Sequence, residues 1–284
     1  MRFLSFLAAL FLACGFTGEG VDVDPQYQHK VALDPAGAPR LTIEWRSGGI
    51  ELIGDGGDSV RVTAVGWKYG GLVESEEWLH LVKFQREPDR VALEFTQSGV
   101  ACPYSITLQV RFPRGMAVEV ANGSGELILS GGSSAVIELG SGGATVTGVT
   151  GDVSVETGSG GVVVEDVGSL KVHSASGGIE IGLGAGHAGP VSAETGSGGI
   201  ELEYGGPFTG DADLGTGSGS ITVGLTAPPE GLAIEAETSS GGVSTNLPGA
   251  SVFNRYGAGE IQLRGAGPKI SLDTASGSIE VNVR

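Results

Sequence analysis

The chain is poor in cysteine, in aromatic residues and in positive charge. Two cysteines, Cys14 and Cys102, lie far apart, so they form no metal-ligand pattern. Aromatics make up 6% of the 284 residues, so a core must be built from small and branched aliphatics. Sixteen Lys and Arg stand against 33 Asp and Glu, a net charge of -17. That balance excludes a nucleic-acid partner, because phosphate binding needs a basic footprint. No apolar run reaches the roughly 20 residues that a membrane-spanning helix requires. Glycine is the opposite case, with 52 residues, but without the Gly-X-Y period of collagen.

The N-terminus reads MRFLSFLAALFLAC. Arg2 followed by the apolar run 3–13 fits the core of an export signal. Phe11-Leu12-Ala13 before Cys14 is similar to a bacterial lipobox, whose cysteine becomes acylated. Residues 1–13 are therefore read as a lipoprotein-type signal peptide, Cys14 as the lipidation site and 14–27 as a tether. Gly15 in place of Asp favours an outer-membrane lipoprotein over inner-membrane retention. A Cys14–Cys102 disulfide is the competing use of the same thiol, and otherwise Cys102 is a buried thiol.

A turn-and-strand motif repeats through the second half. It reads GSGELIL (123–129), GSGGATV (140–146), GSGGVVV (158–164), ASGGIEI (175–181), GSGGIEL (196–202) and GSGSITV (217–223). SSGGVST (239–245), GAGEIQL (257–263) and ASGSIEV (275–281) continue it, and a lone early copy, RSGGIEL, occupies 46–52. The register glycines are Gly125, Gly142, Gly160, Gly177, Gly198, Gly219, Gly241, Gly259 and Gly277, at steps of 17 to 22 residues. Each repeat holds two short strands of period two, such as VSVET and VVVED, joined by a glycine turn. One rung buries too little to fold alone, so rungs must stack. The pattern predicts an all-β chain: a right-handed β-helix or two-sheet β-solenoid over 116–284. Its alternative is an antiparallel β-sandwich, since the same repeats could be hairpins. Residues 28–115 carry longer strands and all three tryptophans, and are read as a β-rich N-terminal cap.

RSGGIELIG and DGGDSVRVTA (46–64), SITLQVRFPRGMAVEVANGSGELIL (105–129) and the glycine repeats after them resemble the bacterial putative-adhesin family of the toast-rack group. The resemblance covers about 35–284. It implies an envelope-associated, non-catalytic β-solenoid linked with adhesion or envelope-stress sensing, and it carries over no catalytic residue.

Charge is unevenly laid out. Residues 1–115 are net -3, 116–254 net -15 with Lys171 the one base, and 255–284 net +1. Glu126, Glu156, Glu180, Glu194 and Glu201 are expected on outward strand positions. They make a solvated face, or a weak site for divalent cations. The calcium β-roll pattern is not met, and GDGGDSVRV (54–62) comes nearest. Gly184, Gly186 and Gly189 match G-x-G-x-x-G, but no helix follows to bind a pyrophosphate. His29, His80, His173 and His187 form no spaced cluster and are expected at the surface. The function expected is an envelope-anchored adhesion, sensing or scaffolding module, not an enzyme, with no cofactor and no resident metal. Its partners would be the membrane, through the anchor, and an envelope protein or glycan. The alternative is a carbohydrate-binding or carbohydrate-cleaving β-helix, because outward Glu pairs could reach the spacing of a glycosidase carboxylate pair.

Overall fold

A computed structural model describes residues 28–35, 37–68, 71–72, 82–95, 104–255 and 257–284. Cys14, His80, Trp78 and Cys102 lie outside these residues, and so do the signal and tether expectations. The described residues form strands and turns only, arranged in two sheets of 13 strands each.

The repeat unit is one strand in each sheet. In one sheet run β9 (Ala117–Ser124), β11 (Ser134–Ser141), β13 (Asp152–Thr157), β15 (Ser169–Ser176), β17 (Val191–Ser197) and β19 (Ala212–Ser218). In the other run β10 (Leu127–Ser130), β12 (Ala144–Thr147), β14 (Val162–Glu165), β16 (Ile179–Leu183), β18 (Ile200–Tyr204) and β20 (Ile221–Leu225). Successive rungs pair in parallel and in register, for example Val155 with Val172 and Ile181 with Leu202. Parallel pairing decides for the stacked solenoid against the antiparallel sandwich. The aliphatic alternation places Val153, Val155, Val162 and Val164 inside, each at most 2% exposed. One continuous core of such small side chains runs between the sheets.

The early RSGGIEL copy is itself a rung, formed by β2 (Arg40–Trp45) and β3 (Ile50–Asp55). It pairs in parallel with β9 and β10 on one side. On its other side it pairs with β7 (Arg90–Phe95) and β8 (Tyr104–Pro113). Antiparallel strands then close this end. β4 (Val60–Lys68) lies on β8 with β1 (Gln28–Leu33) beyond it, and β6 (Val82–Arg86) lies on β7. The two-residue β5 (Gly71–Leu72) pairs with β4. Trp45 is buried against Phe95, with ring centroids 5.2 Å apart, and its indole N–H donates to the Ile106 carbonyl at 3.0 Å.

The far end departs from the sequence register. β21 (Ala233–Ser240) and β22 (Val243–Thr245) do not stack on β19 and β20. The last strands of the chain, β25 (Lys269–Ser276) and β26 (Ile279–Val283), insert between them and make parallel ladders on both sides. GAGEIQL (257–263) is not a rung. Its strand β24 (Ala258–Leu263) runs antiparallel on β21, and β23 (Ser251–Arg255) runs antiparallel on β24. The marker glycine there is Gly257, at φ 87° in a two-residue hairpin connection, and not Gly259. A hairpin reverses the chain and ends a parallel stack, so it belongs at the tip.

Candidate functional site

The turn that joins the two strands of a rung is set by its G/A-S-G sequence. The third residue has φ between 121° and 157° in Gly48, Gly125, Gly142, Gly160, Gly177, Gly198, Gly219 and Gly277. L residues avoid that backbone region. These glycines and Gly241 also stack in one column, and a Cβ on any would overlap backbone of the neighbouring rung, as Gly142 would the carbonyl of Gly125. The column explains why the turn repeats so strictly.

A second column lines the inner side of the same corner. Thr157, Thr195, Thr216, Thr238 and Thr274 are buried, and their hydroxyls donate to Gly142, Gly177, Gly198, Gly277 and Gly219 carbonyls at 2.9–3.3 Å. Asn122 does the same to Gly48 at 3.2 Å. Ser174 occupies the equivalent place, but its Oγ has no hydrogen-bond partner. The sequence reading passed over this column. The signal was there: Asn, Ser or Thr stands three residues before the glycine in seven rungs, on the inward side of the alternation, with Leu139 and Trp45 in that place before Gly142 and Gly48.

Outside, the serines of the turns form a comb. Ser124 and Ser141 are register neighbours, and so in successive rungs are Ser176, Ser197, Ser218, Ser276 and Ser240. The acidic side chains flank it. Glu180 sits beside Glu201 in one sheet, and Glu138 beside Glu156 in the other, all exposed. Glu156 also neighbours His173, whose Nδ1 is 3.6 Å from Glu194. Glu126 departs from expectation: it lies half-buried in the turn between β9 and β10, not on a strand face. A shallow trough of about 440 Å³ runs over Gly178, Gly199, Glu180, Glu201, Ser220 and Thr222. Its floor is backbone, because glycine supplies the wall. The arrangement offers carboxylates and hydroxyls at the roughly 4.8 Å repeat of the ladder.

Cations are few and mostly engaged. Lys269 reaches Glu235 at 2.6 Å, which holds the Glu235 carboxyl below its usual range and raises the lysine. Arg284 meets Glu203 at 3.0 Å, and Arg40 meets Glu119 at 3.2 Å. Asp55, in the segment nearest a calcium loop, accepts the Gly57 N–H and pairs with Arg61. Among the described residues no three His, Cys, Asp or Glu gather as a metal site. The G-x-G-x-x-G segment opens into strand β17.

His173 is exposed as expected, but His187 is not. It is 9% exposed, within the loop between β16 and β17. Tyr204 and Phe208 stack at 3.8 Å beside it, and the His187 ring lies 6.1 Å from Tyr204. This corner holds the longer 21-residue repeats, and the aromatic group fills the extra space. Burial lowers the His187 pKa, opposed by backbone hydrogen bonds at Gly189 and Val167. Burial also raises the Tyr204 hydroxyl, with help from Asp211. Neither His187 Nε2 nor the Tyr204 hydroxyl has a hydrogen-bond partner.

The Toastrack DUF4097 family profile matches residues 102–282, more than half of the chain. The chain belongs to this family. A putative adhesin from Bacteroides fragilis shares the toast-rack fold, with a TM-score of 0.51 at 13% identity over 89% of this chain and 96% of that one. A putative adhesin from Parabacteroides distasonis aligns at 10% identity and TM-score 0.41, over 89% of this chain and 96% of that one. A putative lipid binding protein from the same organism aligns at 11% and 0.37, over 90% and 97%. No curated protein matches the sequence.

Proposed function

We propose that this toast-rack chain is a non-catalytic adhesive module of the cell envelope. It is exported and held at the outer membrane by acylated Cys14, with residues 14–27 as tether. The observation that carries the reading is the stack itself. Nine two-strand rungs, from β2/β3 to β21/β22, share one core and run for about 40 Å. Stacked parallel rungs make a stiff body. Their outer faces repeat the same carboxylates and hydroxyls along its length, which suits many weak contacts in an array more than one tight ligand. Over 116–225 the long faces present no Trp, Tyr or Arg, the cluster expected of a strong hot spot. The name of the Bacteroides fragilis structure, a putative adhesin, agrees with an adhesive role.

The test is protease accessibility in intact cells, beside lysed cells and a Cys14→Ala strain. Digestion in intact cells supports surface adhesion, and release from the membrane in the Cys14→Ala strain supports the anchor. Protection until the outer membrane is opened sinks the adhesive reading and leaves periplasmic sensing or scaffolding. Screening the purified chain against glycans, with Glu180→Gln and Glu201→Gln beside it, tests the carbohydrate alternative. Turnover that is lost in either variant would replace adhesion with catalysis.

A further inference from the structure

Among the described residues the main ladders of the two sheets end in four edge strands, and three of them carry a guard against strand pairing. β1 presents Lys30, and β6 presents Lys83 and Arg86, charges that keep a second strand away. β22 has only three residues, and the Asn254 side chain occupies the backbone of Val243. Its amide donates to the Val243 carbonyl and its oxygen accepts the Val243 N–H, both at 3.0 Å.

β23 is the exception: its one charge, Arg255, stands at the hairpin end and is already engaged. All five of its residues are exposed, and it pairs with β24 alone. Of the three large hydrophobic residues exposed among those described, two sit here: Phe253 at 60% and Val252 at 41%. Asn254 points at β22, so by strand alternation Ser251, Phe253 and Arg255 face the other way.

We propose that β23 is a homotypic contact, in which the tips of two copies of this chain meet strand to strand. The pairing is antiparallel about Phe253, which sets Val252 against Asn254 of the second copy and exchanges about four backbone hydrogen bonds. The two Phe253 rings then lie side by side across the two-fold axis, as an isologous contact requires. Charge selects the tip. Most of the net -15 of residues 116–254 lies on the long faces, which therefore repel between two copies, whereas the tip, residues 233–264, holds Glu235, Glu237 and Glu260 against Arg255 and Arg264, net -1. Tip-to-tip association joins two near-neutral apolar ends and keeps the acidic bodies apart. Five residues a side bury less than the roughly 1,000 Å² of a stable dimer, so the contact is transient and gains strength in an anchored array. This inference deepens the adhesive reading by naming its partner, and rests on that reading for its setting.

Sedimentation velocity on the full chain, as processed and purified from the expressing cell, tests it. The series runs from about 10 µM to about 1 mM chain, at about 50 and 500 mM salt. The expected result is reversible dimerisation at the upper end that strengthens with salt, because salt screens the repulsion between two acidic bodies. Phe253→Glu weakens it at least tenfold. Val136→Ser, at a 46%-exposed valine on the acidic face, leaves it unchanged. Both sites are exposed, so both variants should keep the wild-type melting temperature. A wild-type chain that stays monomeric overturns the inference, as does undiminished dimerisation of Phe253→Glu. Association that weakens with salt also overturns it, and points to basic side chains meeting acidic faces. A monomer that still binds cell surfaces leaves adhesion standing with another partner; a dimer that binds no surface leaves the contact standing without adhesion.

Discussion

Gly177 and Gly178 are neighbours in one turn, and replacing each with alanine should have opposite effects. Gly177 sits at φ 146°, and a Cβ there would overlap the Gly160 carbonyl of the previous rung. The backbone conformation alone costs a side chain about 1–3 kcal/mol. Relieving the overlap also moves the turn, which makes hydrogen bonds from Gly160 N to Ser176 O and from Gly177 N to Ser197 O, each 2.9 Å. Weakening one of these adds about 1 kcal/mol. Gly177→Ala should therefore lose about 2–4 kcal/mol. Gly178 lies outside the left-handed region, and its Cβ would meet the Gly199 oxygen at 3.7 Å, an ordinary contact. Gly178→Ala should be neutral or up to about 1 kcal/mol stabilising, because alanine restricts the unfolded chain. Urea denaturation followed by circular dichroism reads the difference. With m near 2–3 kcal/mol/M, the two midpoints should differ by about 1–2 M. Midpoints within about 0.2 M of each other would refute the stacked-glycine account of the turn. A lowered m for Gly177→Ala would mean that the stack opens locally, as weakly coupled repeats can.

Further outcomes follow from the same geometry. Thr216→Val keeps the shape and removes the hydroxyl that the Gly198 carbonyl accepts, so it should cost about 1–2 kcal/mol in the same assay, while Ser174→Ala, whose Oγ is unpartnered, should cost less. His187 is held neutral by burial, so the unfolded chain takes up the proton first. Stability is full above about pH 6.5 and falls as pH drops toward the depressed folded value, and His187→Phe should flatten that part of a melting-temperature profile. Asn254→Ala leaves both backbone groups of Val243 without their partner, so hydrogen exchange at the Val243 amide should rise while exchange at Val155, mid-stack, stays unchanged.

The rung was legible because its information is local. Alternation in VSVET and IEIGL puts Val153, Val155, Ile179 and Ile181 inside, and the G-S-G turns bring the chain back. The outward carboxylates followed from the same alternation, except Glu126, which the turn captures. His187 was misread because a glycine-rich loop usually lies at the surface, and only the stacked pair Tyr204 and Phe208 beneath the loop shows the space it fills. The threonine column was readable in principle, but threonine also suits an exposed strand position, and the buried Gly carbonyls that need it are visible only when rungs stack.

The two-strand repeat, its inward aliphatics, its glycine turns and its acidic outer faces can all be read along the chain. Each follows from residues within one rung. The order of the rungs was decided by tertiary structure. Every rung offers the same parallel ladder groups, so nothing local tells ASGSIEV that it stacks on GSGSITV, 58 residues earlier, and not on its neighbour in sequence. The ends decide it. β24 must lie antiparallel on β21 to close the stack, so β21 and β22 take the last rung and the C-terminal strands fill the gap behind them. The same closure leaves β23 beyond the core with Phe253 exposed, a position that its sequence, SVFNR, does not distinguish from a buried strand.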